Sequence, residues 1–131
     1  MTARTDEAGV PSLRFPGFVE PWTSSSLGAE TSYLKGFAFK SQDYRPSGVR
    51  IIRVSDLAAQ HIKQDNDNAH VEESRREEFT KWEVKKDDIV VTTVGSRPDL
   101  IESAVGRGIF VDRDGEGLLN QNMLKLESQH G

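Results

Sequence analysis

Cysteine is absent from the chain, which excludes a disulfide framework and any thiolate metal site. Histidine is scarce: His61, His70 and His130 stand far apart, without the paired spacing of a zinc site. No apolar run approaches the roughly 20 residues that span a bilayer. The start, Met1-Thr-Ala-Arg-Thr-Asp-Glu7, lacks the apolar core of a signal peptide. Neither a glycine-rich phosphate loop with its lysine nor a nucleophile elbow occurs. Glu83-Val-Lys85, with Asp67 upstream, echoes the acidic-acidic-lysine site of restriction nucleases, but the Pro-Asp partner is missing and Lys85 runs straight into a turn. These absences point to a cytoplasmic protein with no membrane partner, and leave no motif for a catalytic or cofactor site.

What is present fits one domain. At 131 residues the chain is long enough to bury roughly two-thirds of its unfolded surface. Charged residues make up 29% of it, and a mean hydropathy of -0.58 gives it a hydrophilic surface. The net charge of -4 counts against an autonomous DNA binder, because lysine and arginine on phosphates supply most nonspecific affinity. The acids are bunched, however, at Asp65, Asp67, Glu72, Glu73, Glu77 and Glu78, and again at Asp112, Asp114 and Glu116. The total therefore hides local patches and does not exclude a DNA contact on one face.

Along the chain, residues 1–12 read as a flexible tail and residues 13–131 as the domain. Leu13-Arg-Phe-Pro-Gly-Phe-Val-Glu-Pro-Trp22 cannot be regular helix because of its prolines, and its apolar residues predict an extended arm laid on the domain, anchored by Phe18 and Trp22. Ser24-Ser-Ser26 can cap a helix from Leu27 to Leu34 that Gly36 ends. Ser41 to Gly48 reads as a turn, Val49 to Val54 as a β-branched strand, and His61 to His70 as a loop. Ser74-Arg-Arg-Glu77 fits a capping box before a second helix, with Phe79 and Trp82 as its apolar edge and Glu72/Arg76 and Glu77/Lys81 as four-apart ion pairs. Lys86-Asp-Asp88 predicts a turn, followed by strands at Ile89 to Val94, Ala104 to Val111 and Met123 to Leu126. Gly106 and Gly108 hint at a bulge or a close backbone approach. The expected class is α+β: a small mixed or antiparallel sheet, two short helices and long irregular loops.

Four blocks recur in a known order: Lys35-Gly-Phe-Ala-Phe-Lys-Ser41, Val49-Arg-Ile-Ile-Arg-Val-Ser-Asp-Leu57, Asp87-Asp-Ile-Val-Val-Thr-Thr-Val-Gly-Ser96 and Leu119-Asn-Gln-Asn-Met-Leu-Lys-Leu126. Together they resemble the target recognition domain of the specificity (S) subunit of type I restriction-modification enzymes. Pro11-Ser-Leu-Arg-Phe-Pro-Gly-Phe18 also resembles the usual entry into these subunits. One departure is Asp87-Asp88, where the family usually has Gly-Asp. The resemblance implies a domain that performs no chemistry. It chooses the DNA sequence on which a methyltransferase (M) subunit and, through it, a restriction (R) subunit act. The chain lacks the second recognition domain, the long spacer helices and the last part of the first domain. It therefore reads as a partial domain: a truncated gene, a split subunit completed by a second S fragment, or a remnant.

The candidate DNA contacts follow from side-chain chemistry. Lys35, Lys40, Ser41 and Arg53 can touch phosphate or base edges. Equally, the two lysines can be solvated loop charges and Arg53 a support for the loop after Val54. Thr92, Ser96 and Arg97 stand at a strand end and the loop beyond, where Arg97 can read guanine or clamp a phosphate; a surface arginine beside a proline turn is the bland account. Asn120-Gln-Asn122 offers amides for adenine, but its recurrence among readers of different sequences favours architecture. Phe37, Phe39, Tyr44, Phe79, Trp82 and Phe110 favour core packing over base stacking. The expected contact surface is formed by the loops Lys35 to Ser41, Val54 to Gln60 and Gly95 to Leu100. The competing reading is a protein-interaction fragment, or an inactive remnant, without DNA affinity of its own.

Overall fold

In this computed structural model, residues 5–6, 9–65, 67, 69–95 and 105–130 are described. In chain order the strands are β1 (Thr5–Asp6), β2 (Val10–Pro11), β3 (Thr31–Lys35), β4 (Val49–Ile52), β5 (Ala69–Val71), β6 (Glu83–Val84), β7 (Ile89–Thr92), β8 (Gly108–Phe110), β9 (Gly117–Leu119) and β10 (Met123–Ser128). One helical turn, α1 (Leu27–Glu30), precedes β3, and 3₁₀ segments cover Ser41–Asp43, Val54–Asp56 and Glu73–Trp82. The α+β class holds, with the strands divided between two four-stranded sheets and a separate β1–β2 ribbon. One sheet has the antiparallel order β3-β10-β7-β8. The other is mixed, ordered β5-β4-β9-β6, with β4 and β9 parallel.

Alternation along β4 and β9 stacks the molecule in three layers. Successive side chains of a strand point to opposite faces. Ile52 and Leu119 join Val90, Ile109, Val111 and Met123 of the antiparallel sheet in one buried cluster. Their neighbours Ile51 and Leu118 face the other way, joining Val49, Val71, Phe39 and Phe79 in a second cluster closed by Phe37 and Trp82. The mixed sheet is thus the middle layer, buried on both faces. That is why Val49–Ile52 reads as a near-continuous apolar run rather than an alternating one.

Three local expectations are corrected. The helix expected over Leu27 to Leu34 stops at Glu30: Ser26 Oγ does accept from the Ala29 N–H at 3.3 Å, but Thr31–Lys35 is strand, paired along its length with β10. A five-residue ladder with a sequence-distant partner outweighs a single turn's helix preference. The second helix is 3₁₀ and begins at Glu73 without a side-chain cap, so the Ser74 capping box does not set its start. At three residues per turn, positions i and i+3 eclipse. The ion pairs accordingly form three apart, Arg76 with Glu73 at 2.5 Å and Arg75 with Glu78 at 2.9 Å, in place of the four-apart pairs. The same period brings Phe79 and Trp82 side by side, their rings tilted at 57° with centres 6.3 Å apart.

The third correction is the arm. Phe18 and Trp22 are 70% and 66% exposed, so they anchor nothing on the body. The arm instead curls on itself. Arg14 donates to the carbonyls of Phe18 at 2.8 Å and Glu20 at 2.6 Å, and the Trp22 N–H reaches Gly9 O at 2.9 Å. Satisfying these carbonyls locally leaves the aromatic side chains around an open groove of the arm's own making.

Side-chain bonds with Arg76 and Arg75 hold the Glu73 and Glu78 carboxyls below their ordinary value of 4.5. Folded pKa values below the unfolded ones mean that this contribution is present above pH 4.5 and is lost as pH falls through the lowered values. Acid titration followed by carboxyl NMR is expected to show both midpoints under 4.5, and Arg76→Gln should return that of Glu73 towards it.

Gly36 does not end a helix. It lies where the chain passes from β3 to the middle layer, and its N–H donates to Met123 O at 2.9 Å. A Cβ there would sit 1.7 Å from the Asn120 carbonyl oxygen. Gly36→Ala is therefore expected to destabilise by about 1–3 kcal/mol or more. Gly28→Ala, in α1 with nothing within 4 Å, should instead gain about 0.5–1 kcal/mol. Urea midpoints of the two variants check the contrast.

Candidate nucleic-acid interface

Strand register decides which candidates meet. β10 pairs with β3 through Leu124↔Lys35 and with β7 through Met123↔Thr92, while β7 pairs with β8 through Val91↔Gly108. The end of β3, the end of β7, the start of β8 and the start of β10 therefore share one end of the antiparallel sheet. The middle layer delivers a fifth element there. Ile52 pairs beside Leu119, Ile52 O accepts the Asn120 N–H at 3.1 Å, and Phe37 bridges to Asn120. The chain leaving β4, Arg53 and the 3₁₀ turn Val54–Asp56, thus emerges at the same end.

Lys35, Arg53 and Thr92 belong to this convergent end; Lys40 and Ser41 do not. The 3₁₀ turn Ser41–Asp43 is pinned by Asp43 to Arg75 at 3.0 Å, next to the β5 end that pairs with Val49 at the start of β4. Ser96 and Arg97, with most of the loop they share, lie outside the described residues.

The three convergent residues differ in availability. Lys35 is exposed, and its carbonyl accepts the Trp82 indole N–H at 3.2 Å, which fixes the backbone beneath a free side chain. Arg53 is committed to its own loop: its N–H and its Nε reach Oδ2 of the fully buried Asp56 at 2.7 and 3.3 Å, and its Nη2 donates to Asp67 O. Thr92 is buried, and its Oγ1 accepts the Arg107 N–H at 3.1 Å. Thr93, Val94 and Gly95 beyond it are exposed, as are Gln121 and Asn122. Asn122 takes a φ of 69°, and its carbonyl accepts the Thr93 N–H at 3.0 Å, so this block shapes the turn into β10.

Arg107 is a residue of this end that sequence reasoning missed. Its backbone closes the β7–β8 loop, exchanging bonds with Thr92 on both sides of the loop base. Its Nη2 donates to Ala58 O in the loop that follows β4. The one available signal was an arginine between Gly106 and Gly108, which reads as a turn or bulge rather than as a site.

The outer face of the antiparallel sheet is largely apolar. One row across it runs Tyr33, Leu126, Ile89, Phe110; Lys35, Leu124 and Val91 stand in the next row, and Leu27 and Gly28 of α1 flank a groove beside Tyr33 and Leu126. Tyr33 is 67% and Phe110 60% exposed. Among the described residues no helix is long and apolar enough to cross a membrane, and no three acidic or histidine side chains converge as a metal site.

No family model matches the chain. Over 109 residues it is 27% identical to the type I restriction enzyme EcoAI specificity subunit of Escherichia coli, an alignment that covers 83% of this chain and 18% of that protein. The chain thus spans less than a fifth of that relative's length, and its likeness to a type I specificity subunit is a distant one.

Proposed function

We propose that this chain recognises DNA as part of a type I specificity subunit. It contacts one half of a split site and holds it against a methyltransferase subunit that flips an adenine out of the stack, the restriction subunit joining through that partner. The observation that carries the reading is the convergence of five chain segments at one end of the antiparallel sheet, with Lys35 exposed among them. Loops on a rigid layer can present donors in fixed relation, as base-edge readout requires. Lys35 is the phosphate or base contact of this end, and Ser96 and Arg97, which lie outside the described residues, are the further phosphate or base contacts of the reading. Arg53 and Thr92 serve the same surface by holding its loops. Lys40 and Ser41 reach a flanking phosphate.

The test is a salt titration of duplex binding, with the chain alone and in complex with a methyltransferase subunit. Lys35→Ala should reduce the slope of log affinity against log salt by about 1, and Arg97→Ala should do the same or relax sequence preference. A Lys40→Ala variant that keeps the full slope would confine the interface to the convergent end. Affinity indifferent to salt and to all three changes would sink the reading.

The largely apolar outer face favours a second reading, a protein-binding module whose partner is the methyltransferase subunit. An exposed apolar patch of this kind marks interaction surfaces. Tyr33→Glu combined with Phe110→Lys would then abolish co-purification with that subunit, and the salt titration would stay flat throughout.

A further inference from the structure

We infer that Arg107 is a positioning residue for specificity: it splints the loop after β4 to the base of the β7–β8 loop, and so fixes the distance between two surfaces that read the duplex. This rests on the DNA-recognition reading above and adds the residue that sets the geometry.

The two loops have different anchors. The β4 loop is held at its flanks, where Leu57 and Ile62 pair with each other and are buried in the first core cluster. Its tip is Ala59, Gln60 and His61, all exposed. The Ala58 N–H is used inside the loop, donating to His61 O at 2.9 Å, while Ala58 O points outward to Arg107. On the other side, Thr92 and Arg107 form the closing pair of the β7–β8 loop. The Thr92 N–H donates to Arg107 O at 3.1 Å, the Gly106 N–H donates to Thr92 O at 2.8 Å, and the Arg107 N–H donates to Thr92 Oγ1 at 3.1 Å. One residue therefore closes one loop with its backbone and grips the other with its guanidinium.

The guanidinium's remaining atoms decide between splint and reader. Nε and Nη1 are buried and, among the described residues, have no hydrogen-bond partner. Screened from solvent, they cannot receive a phosphate or a guanine edge while the loops hold this arrangement, so Arg107 does not touch DNA. Unpaired buried donors also oppose folding. A residue kept for stability alone would not leave two of them. Removing the guanidinium should therefore loosen the loops far more than it lowers global stability.

The experiment compares wild type, Arg107→Lys and Arg107→Met, the last keeping the aliphatic stem. Hydrogen exchange is read first, on the full chain without DNA. In Arg107→Met the amides of Ala58 and Gly106 should exchange at least tenfold faster, with Val90 and Leu119 unchanged. Unchanged exchange at Ala58 would overturn the splint, whatever the chain does with DNA. A randomised duplex library is read second, on the complex with a methyltransferase subunit. Both variants should lose at least tenfold in preference for the enriched duplex over a scrambled one, with the salt slope kept. Lysine does not rescue, because a single ammonium on a flexible stem does not reproduce the planar fork. A slope lowered by about 1 with preference intact would make Arg107 a phosphate contact and overturn the proposal. If wild type enriches no sequence, the specificity role falls together with the DNA reading, while the exchange result still decides the splint.

Discussion

Phe79→Ala is expected to destabilise the domain by about 3–5 kcal/mol, a large share of the about 5–15 kcal/mol that holds a domain of this kind together. Phe79 is 1% exposed. Its ring centre stands 4.9 Å from that of Phe39, 5.3 Å from that of Phe37 and 6.3 Å from that of Trp82, and the Arg75 guanidinium lies 5.0 Å from it. Truncation would open a cavity between the 3₁₀ helix Glu73–Trp82 and the middle sheet. Beyond Phe79 the helix is held by Trp82, which closes the same cluster, and by the Arg75–Asp43 pair; most of its other residues are charged and exposed, and 3₁₀ hydrogen bonds are weak. The helix should therefore loosen with the core. Trp82 fluorescence in a Trp22→Phe background reports this directly. Phe79→Leu, which refills most of the volume, should cost less than half as much. Equal losses for alanine and leucine would mean that ring geometry, not volume, holds the layer.

Phe79 also illustrates what the sequence could and could not reveal. The three-residue spacing of Phe79 and Trp82 identified an apolar edge, but three is compatible with α and 3₁₀ periods alike, so the helix type stayed hidden. Strands β4, β7 and β10 were legible because Val49–Ile52, Ile89–Thr92 and Met123–Leu126 are β-branched or apolar runs bounded by turn residues. β3 was not, because Thr31–Lys35 draws its stability from β10, almost a hundred residues away, while its own sequence follows a serine-rich helix cap. β9 was too short to have a pattern: Gly117–Leu119 is a strand because it fills the slot between β4 and β6. The arm failed for the opposite reason. Its apolar residues predicted burial, and local bonds from Arg14 keep them outside.

At the candidate interface the legible part was the identity of the loops, and the hidden part was their grouping. Lys35 and Lys40 are five residues apart in sequence, yet register places Lys35 at the end of the sheet where β4 leaves and Lys40 beside the end where β4 begins. Arg53, for which the sequence left phosphate contact and loop support both open, is paired with Asp56, the buried carboxylate three residues on. Arg107 could not be found from the sequence, because its partner is the carbonyl of an alanine forty-nine positions away, and a backbone acceptor leaves no trace in residue type.

Lys125→Ala is expected to cost about 3–5 kcal/mol, the loss that follows when one member of a buried ion pair is removed and the other stays. Lys125 is 2% exposed, on the inner face of β10 between Val90 and Leu34. Its ammonium lies 3.5 Å from Asp88, 2.6 Å from Glu127 and 3.0 Å from the carbonyl of Glu83. Asp88, also buried, accepts the Lys85 N–H at 2.9 Å and so caps the turn that starts β7. One cation thus ties β10 to the β6–β7 connection. Replacing both members, Lys125→Met with Asp88→Asn, should restore most of the loss, because a neutral pair of similar volume avoids the desolvation of two charges and the Asn carbonyl can still accept the Lys85 N–H. Urea denaturation of the two single variants and the double variant gives the coupling energy. A coupling near zero would mean that Asp88 and Lys125 are held independently, by Lys85 and by Glu127. A large coupling would make the pair the clamp that sets the register of β10, and with it the position of the turn at Asn120–Asn122 and of the Lys35 side chain one strand away.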